Sequence, residues 1–148
     1  MLSIREELKH NDKILPRAGE VWGWETPAGR LRARRRAELL ISSSSMSSGK
    51  KVLELGCGTG IFSEFFQETG ATVFAIDVSY SFLLQVQKRN SKIITVTSDA
   101  QRLPFADEAF DAIVGSSVLH HLELQRCLPE IYRVLKPGGL SLLQSPTC

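Results

Sequence analysis

The chain has 148 residues, 43% of them hydrophobic, and a formal net charge of +2. That length suits one domain with its own core, and the apolar content excludes a disordered polypeptide. A charge this close to neutral leaves no global electrostatic footprint for nucleic acid, and no apolar run approaches the ~20 residues that span a bilayer.

Residues 1–13 are polar and charged, a short lead-in compatible with helix and without the apolar core of a signal peptide. Cys57, Cys127 and Cys148 are odd in number, widely spaced and show no metal-ligand pattern, which fits a reducing compartment. The expected location is therefore cytoplasmic. Trp22 and Trp24 flank Gly23, a large apolar payload for a loop. They read either as a cover packed on the domain or as a lid over a ligand. Thr26-Pro27 is a helix start, with a hydroxyl at the N-cap and proline at the first helical position. The spacing predicts a helix over 27–41 that buries Leu31, Ala37, Leu40 and Ile41. Arg30, Arg32, Arg34, Arg35 and Arg36 crowd this helix. They form a solvated face or a contact surface for phosphate or another anion, the reading that leaves nucleic acid open as a partner. Six serines over 42–48 read as a flexible linker. The chain thus divides into a helical cover with its linker, 1–45, and a main domain, 46–148.

From Lys51 strands and helices alternate. Strand one covers 52–55, and a helix over 61–69 closes at Gly70. Strand two covers 71–76 and ends at Asp77. Ser79 caps a second helix carrying Phe82, Leu83 and Val86. Strand three, 93–97, ends at Ser98-Asp99, and a loop with Pro104 leads to strand four around 112–114. A helix over 124–136 is broken or restarted at Pro129. Gly138-Gly139 closes it before strand five, 140–143. This alternation predicts a Rossmann-like α/β domain, a parallel sheet with helices on both faces. Right-handed crossovers put every strand's C-terminal end on one edge, where open α/β sheets bind ligands.

Four features fall on that edge. Gly56, Gly58 and Gly60 follow strand one, so a ligand can lie against bare backbone with the next helix's N–H groups aimed at it. Cys57 within the turn is a small filler or a reactive thiol. Asp77 ends strand two, where a carboxylate can accept from two vicinal ribose hydroxyls. Asp99 ends strand three and can accept from an exocyclic amine, while Ala100 offers a backbone N–H. Ser116 follows strand four. Together these describe a nucleoside pocket. The alternatives are ordinary: a tight turn, a helix-capping Asp77, a loop acid at Asp99. The spacing G-x-G-x-G, with Ile61 where a dinucleotide fold places its third glycine, argues against a pyrophosphate ligand.

Glu54-Leu55-Gly56-Cys57-Gly58-Thr59-Gly60 resembles motif I of class I S-adenosylmethionine-dependent methyltransferases. Asp77 with Val78 in Ala-Ile-Asp-Val-Ser, and Ser98-Asp99-Ala100 with Leu103-Pro104-Phe105, are similar to that family's later motifs. Val118-Leu119-His120-His121-Leu122, followed by Arg133-Val134-Leu135-Lys136-Pro137-Gly138-Gly139, resembles the subgroup called methyltransferase type 11. The likeness covers about 52–143.

The resemblance implies S-adenosyl-L-methionine as cofactor. Its binding set would be Glu54, Gly56, Cys57, Gly58, Gly60, Asp77, Val78, Asp99, Ala100 and Ser116. The glycine turn and Glu54 would neighbour the methionine part, Asp77 the ribose, and Asp99 with Ala100 the adenine. Methyl transfer from an activated sulfonium needs alignment and exclusion of water above all. A base is needed only for a protonated nucleophile, and His120 or His121 is the candidate. The implied partner is a small-molecule methyl acceptor, which the residues do not select. The family's sheet also carries strands six and seven, an antiparallel pair for which this sequence has no residues. An open edge at strand five would invite pairing with another chain, hence an expected homodimer. Two alternatives stand beside the enzyme: a non-catalytic cofactor-binding domain, and an NAD-type oxidoreductase disfavoured by Ile61.

Overall fold

Short strands that are apolar on both faces need helices on each side to cover them. The computed structural model describes residues 3–15, 23–24, 26–116 and 123–144. Strands β1 (Lys51–Leu55), β2 (Thr72–Asp77), β3 (Ile94–Thr97), β4 (Phe110–Ser116) and β5 (Leu135–Gln144) form one sheet in the order β3-β2-β1-β4-β5. Every pairing is parallel, and β1 is central, with Val52 opposite both Val73 and Ala112. The helices are α1 (Ile4–Ile14), α2 (Pro27–Ser44), α3 (Ile61–Gln67), α4 (Tyr80–Arg89) and α5 (Leu124–Val134). The expected parallel architecture with helices on both faces is the one observed.

The strand alternation of period two sorts the core into two halves. Val52, Val73, Ala75, Ala112 and Val114 meet α2, α3 and α4 through Ala33, Ala37, Leu40, Phe62, Phe66, Leu83 and Val86. Leu53, Leu55, Ile76, Phe110 and Ile113 meet α5 through Cys127, Ile131 and Val134. On that second face Phe105 and Phe110 pack edge to face, 4.9 Å between centroids. Arg133 on α5 ties down the loop that follows β3. Its guanidinium donates to Leu103 O at 2.9 Å, Phe105 O at 2.8 Å, and the carboxylates of Asp107 and Glu130. Glu130 also accepts from Leu103 N–H at 2.8 Å. Arg133 and that N–H hold its carboxyl down at about 2.

The N-terminal segment meets expectation at its two helix starts and departs from it further on. The lead-in is helical, with Ser3 and Glu6 forming a capping box at the start of α1. Thr26 caps α2 through its hydroxyl and Gly29 N–H. The serine tract does not begin as a flexible linker, because α2 runs on through Ser44. The hydroxyls of Ser42 and Ser44 bond carbonyls of the preceding turn, Leu39 O and Leu40 O, a local pairing that lets serine stay helical. Ser45 then adopts the left-handed conformation, φ +55°, and Met46 returns to the core. The boundary expected at residue 45 is thus a helix end, and one core crosses it. Leu31, expected inside, is half exposed. The buried stripe is Gly29, Ala33, Ala37 and Leu40, and Leu31 lies off it. Ile41 packs against the core from a half-buried position.

Pro129 neither breaks nor restarts its helix; α5 is continuous across it. Cys127, Ile131 and Val134 bury one face of α5, and tertiary packing of that face offsets the missing N–H. Strand β5 begins directly at Leu135 rather than at residue 140. Leu135 pairs with Phe110 and Leu140 with Ala112, so residues 136–139 bulge out of register around Gly138. Among the described residues no helix is long and apolar enough to cross a membrane.

Candidate functional site

At the C-terminal end of β1 the chain turns through Gly56, Gly58 and Gly60 with φ of +64°, +55° and +90°. Residues with a Cβ rarely adopt this region. At Gly60 an added Cβ would also stand 3.0 Å from Val86 Cγ2 of α4. The turn is fastened to β2: Cys57 N–H donates to Ile76 O at 3.0 Å, and Gly60 N–H closes back on Cys57 O at 3.1 Å.

Asp77 is the hinge of the arrangement. Its Oδ2 accepts from Gly58 N–H at 3.0 Å and its Oδ1 from Ser79 N–H at 2.9 Å. The carboxylate therefore joins the end of β2 to the middle of the glycine turn. Burial pushes its carboxyl up, while the backbone N–H groups of Ser79, Gly58 and Val78 hold it down. Asp77 does not cap α4, because Ser79 does so by accepting from Phe82 N–H. Each carboxylate oxygen keeps lone-pair capacity beyond its one bond to Gly58 or Ser79. Ser98 N–H donates to Asp77 O at 3.0 Å, which brings the end of β3 alongside. There Asp99 Oδ1 accepts from Gln101 N–H at 3.0 Å, and Ala100 is buried beside it. The expected triad of strand ends is assembled on one edge, with Val78 half-buried between the turn and α4.

Other sequence-chosen residues serve different ends. Glu54 points into the helix layer, where it is 1% exposed and accepts from Ser63 Oγ. Burial raises its carboxyl to about 8, against the Ser63 hydrogen bond that lowers it, so it is largely protonated at neutral pH. Cys57 is buried, and that burial pushes its thiol well up. This matches the filler reading, since the thiolate is the reactive form. Ser116 reaches the same edge, but its hydroxyl accepts from Arg36 Nε at 3.1 Å and faces Gln144 Oε1 at 3.4 Å. It ties α2 to β4 and β5. Trp24 packs edge to face on Phe62, 5.3 Å between centroids, with Arg32 over its ring. Trp22, His120 and His121 lie outside the described residues.

Sequence reasoning missed Glu7. Its carboxyl is raised by partial burial and then by the charges of Asp77 and Asp99, which places α1 beside the site. Asp12 of α1 accepts from Ser81 Oγ at the start of α4. The capping box at Ser3 was the one available signal that α1 exists; nothing local to the sequence says where it docks.

The geometry agrees with comparisons to known proteins. The methyltransferase domain family matches residues 53–143, and the chain belongs to it. A demethylmenaquinone methyltransferase of Paenarthrobacter aurescens is 38% identical over 107 residues, 72% of this chain and 42% of that protein. A malonyl-[acyl-carrier protein] O-methyltransferase of Pectobacterium atrosepticum is 32% identical over 108 residues, 72% of this chain and 43% of that protein. The chain thus spans less than half the length of these curated relatives. Among solved structures, the [4+2]-cyclase SpnF superposes with a TM-score of 0.83 at 25% identity, covering 95% of this chain and 60% of SpnF.

The residues present also fit the cofactor such families use. A buried carboxylate with spare acceptor capacity suits a vicinal diol. Ile61, which opens α3, stands where a pyrophosphate-binding turn needs glycine.

Proposed function

We propose that the chain binds S-adenosyl-L-methionine along this edge and directs methyl transfer to a small-molecule acceptor. The observation that carries the reading is the bridge from Asp77 to Gly58, which joins an acidic strand end to a bare glycine turn. When bound, the cofactor supplies a methyl carbon activated by a sulfonium. The chain's own task is to hold and orient. Asp77 accepts from the ribose hydroxyls. Gly56, Gly58 and Gly60 give the methionine part an approach to backbone. Asp99, Ala100 and Val78 line the adenine end. Glu54, neutral beneath the turn, keeps its shape through Ser63 rather than adding charge.

For an acceptor whose nucleophile carries a proton, His120 or His121 takes that proton. The relatives' names point to two acceptors, demethylmenaquinone and malonyl-[acyl-carrier protein]. The chain spans less than half of each relative, so both belong among the substrates to be assayed. Calorimetry against S-adenosylhomocysteine and NAD tests the cofactor: the first should bind and the second should not. Binding of NAD alone would overturn the proposal. The likeness to SpnF favours a second reading, cofactor binding in the service of chemistry other than methylation. Release of S-adenosylhomocysteine in an acceptor screen separates the two.

A further inference from the structure

The arginine run of α2 is divided among different tasks by the helical period. Arg32 lies over Trp24, and Arg36 reaches Ser116 at the sheet edge. Arg30 and Arg34, four residues apart and so on one face, border a groove of about 560 Å³ between α2 and α3. Its floor is apolar: Trp24, Leu31, Ile61 and Phe65. A third guanidinium, Arg89 from α4, enters from the opposite side, anchored on Thr59 O at 3.1 Å and on Glu64 at 3.5 Å. Among the described residues Glu64 is the single carboxylate of the lining. Among the described residues, neither Arg30 nor Arg34 has a carboxylate partner. Arg34 rests on the face of Phe65, 5.2 Å from its centroid, a contact that steadies the guanidinium without neutralising it.

We infer that this groove is a binding site for a phosphorylated small molecule with an apolar or aromatic body, separate from the nucleoside edge. Three guanidiniums against one carboxylate leave a local excess of positive charge. Planar guanidinium forks match phosphoryl oxygens in pairs. The apolar floor gives a ring or hydrocarbon portion something to cover. The volume lies in the range of small-molecule sites, roughly 300–1,000 Å³. A nucleic-acid surface would need a continuous basic stripe along the backbone path; here Arg32 and Arg36 are turned to other partners. The site touches the glycine turn at one point, the Arg89 bond to Thr59 O, so its occupant and the nucleoside edge share a backbone segment.

The test uses the full chain and three probes: 1-naphthyl phosphate, inorganic phosphate and 1-naphthol, titrated by calorimetry. The whole probe should bind at least about tenfold more tightly than either half. Arg30→Gln with Arg34→Gln should weaken naphthyl phosphate by at least about tenfold, from the loss of charge-assisted hydrogen bonds. Far-UV spectrum and S-adenosylhomocysteine affinity should stay unchanged. Should the double variant misfold, Arg30→Gln alone, at an exposed position, should still weaken the probe severalfold. Equal affinity for the three probes, or no response to either variant, overturns the proposal. Tighter binding of a single-stranded RNA oligonucleotide than of naphthyl phosphate, lost in the same variant, replaces it with a nucleic-acid surface. Because naphthyl phosphate and S-adenosylhomocysteine are titrated separately, failure here is distinct from failure of the methyl-transfer reading.

Discussion

The two flanks of the glycine turn differ in charge although they share a backbone. On the inner flank Asp77, Asp99 and Glu7 gather carboxylates, and Gly58 gives its N–H to Asp77. On the outer flank Arg30, Arg34 and Arg89 gather guanidiniums, and Thr59 gives its carbonyl to Arg89. Two peptide units separated by a single one thus face opposite fields. The difference teaches that a glycine-rich turn is not committed to anions. Its donors can be spent on a protein carboxylate, which leaves that carboxylate, not the turn, to greet a neutral or cationic ligand.

The strongest way to break this comparison is at Gly58. Its φ of +55° disfavours a branched side chain, and Gly58→Val should abolish S-adenosylhomocysteine binding while the far-UV spectrum stays native. Retained affinity would make the turn purely structural. Glu54, beneath both flanks, gives the next largest effect, in stability rather than binding. In the native state its carboxyl keeps its proton up to about 8, whereas the ordinary value is 4.5. Between these pH values the folded chain binds more protons than the unfolded one, so stability should fall as pH rises through the window. Glu54→Gln should remove that fall, leaving the variant a few kcal/mol more stable than the parent at pH 8 and above. Chemical denaturation at pH 5 and pH 8 reads it, and an unchanged slope would show that Glu54 is ionised.

Asp77→Ala tests the inner flank alone. It should weaken S-adenosylhomocysteine by about 1.5–3 kcal/mol, the range for hydrogen bonds to charged groups, with naphthyl phosphate unaffected. Equal weakening of both ligands would merge the two flanks into one site. The smallest effect is expected at Arg89. Its side chain is 35% exposed, so Arg89→Gln should cost about 1 kcal/mol of stability, a typical net hydrogen bond. It should also change nucleoside affinity slightly through Thr59. No change in nucleoside affinity would show that the flanks are independent.

Much of this was legible in the sequence because the central strands are apolar on both faces and end in abrupt punctuation. Val52 to Leu55 runs into three glycines, and Ile76 runs into Asp77. Ser79 is followed by a helical pattern. Each is a local signal with one structural outcome. What escaped depends on long-range packing. The division of the arginines follows from which face of α2 meets the sheet, and the small residues Gly29, Ala33 and Ala37 mark that face less loudly than Leu31 would. The serine tract looks like linker by composition, yet the hydroxyls of Ser42 and Ser44 find carbonyls one turn back. Pro129 is tolerated because α5 is held by its buried face. Glu7 meets Asp77 and Asp99 only once the whole sheet exists.

The central place of β1 has a consequence for how the chain acquires its shape. Val52 must pair with Val73 on one side and, much later in the chain, with Ala112 on the other. During synthesis β1, β2 and β3 emerge first, and the β4-facing side of β1 has no partner until Phe110–Ser116 is made. Parallel pairings across such separations close large loops before any contact rewards them, and they slow folding. The exposed side of β1, with Val52, Leu53 and Leu55 along it, is then the stretch most open to mispairing with a neighbouring chain. Refolding from denaturant should be slow and strongly dependent on protein concentration, with yield recovered on dilution.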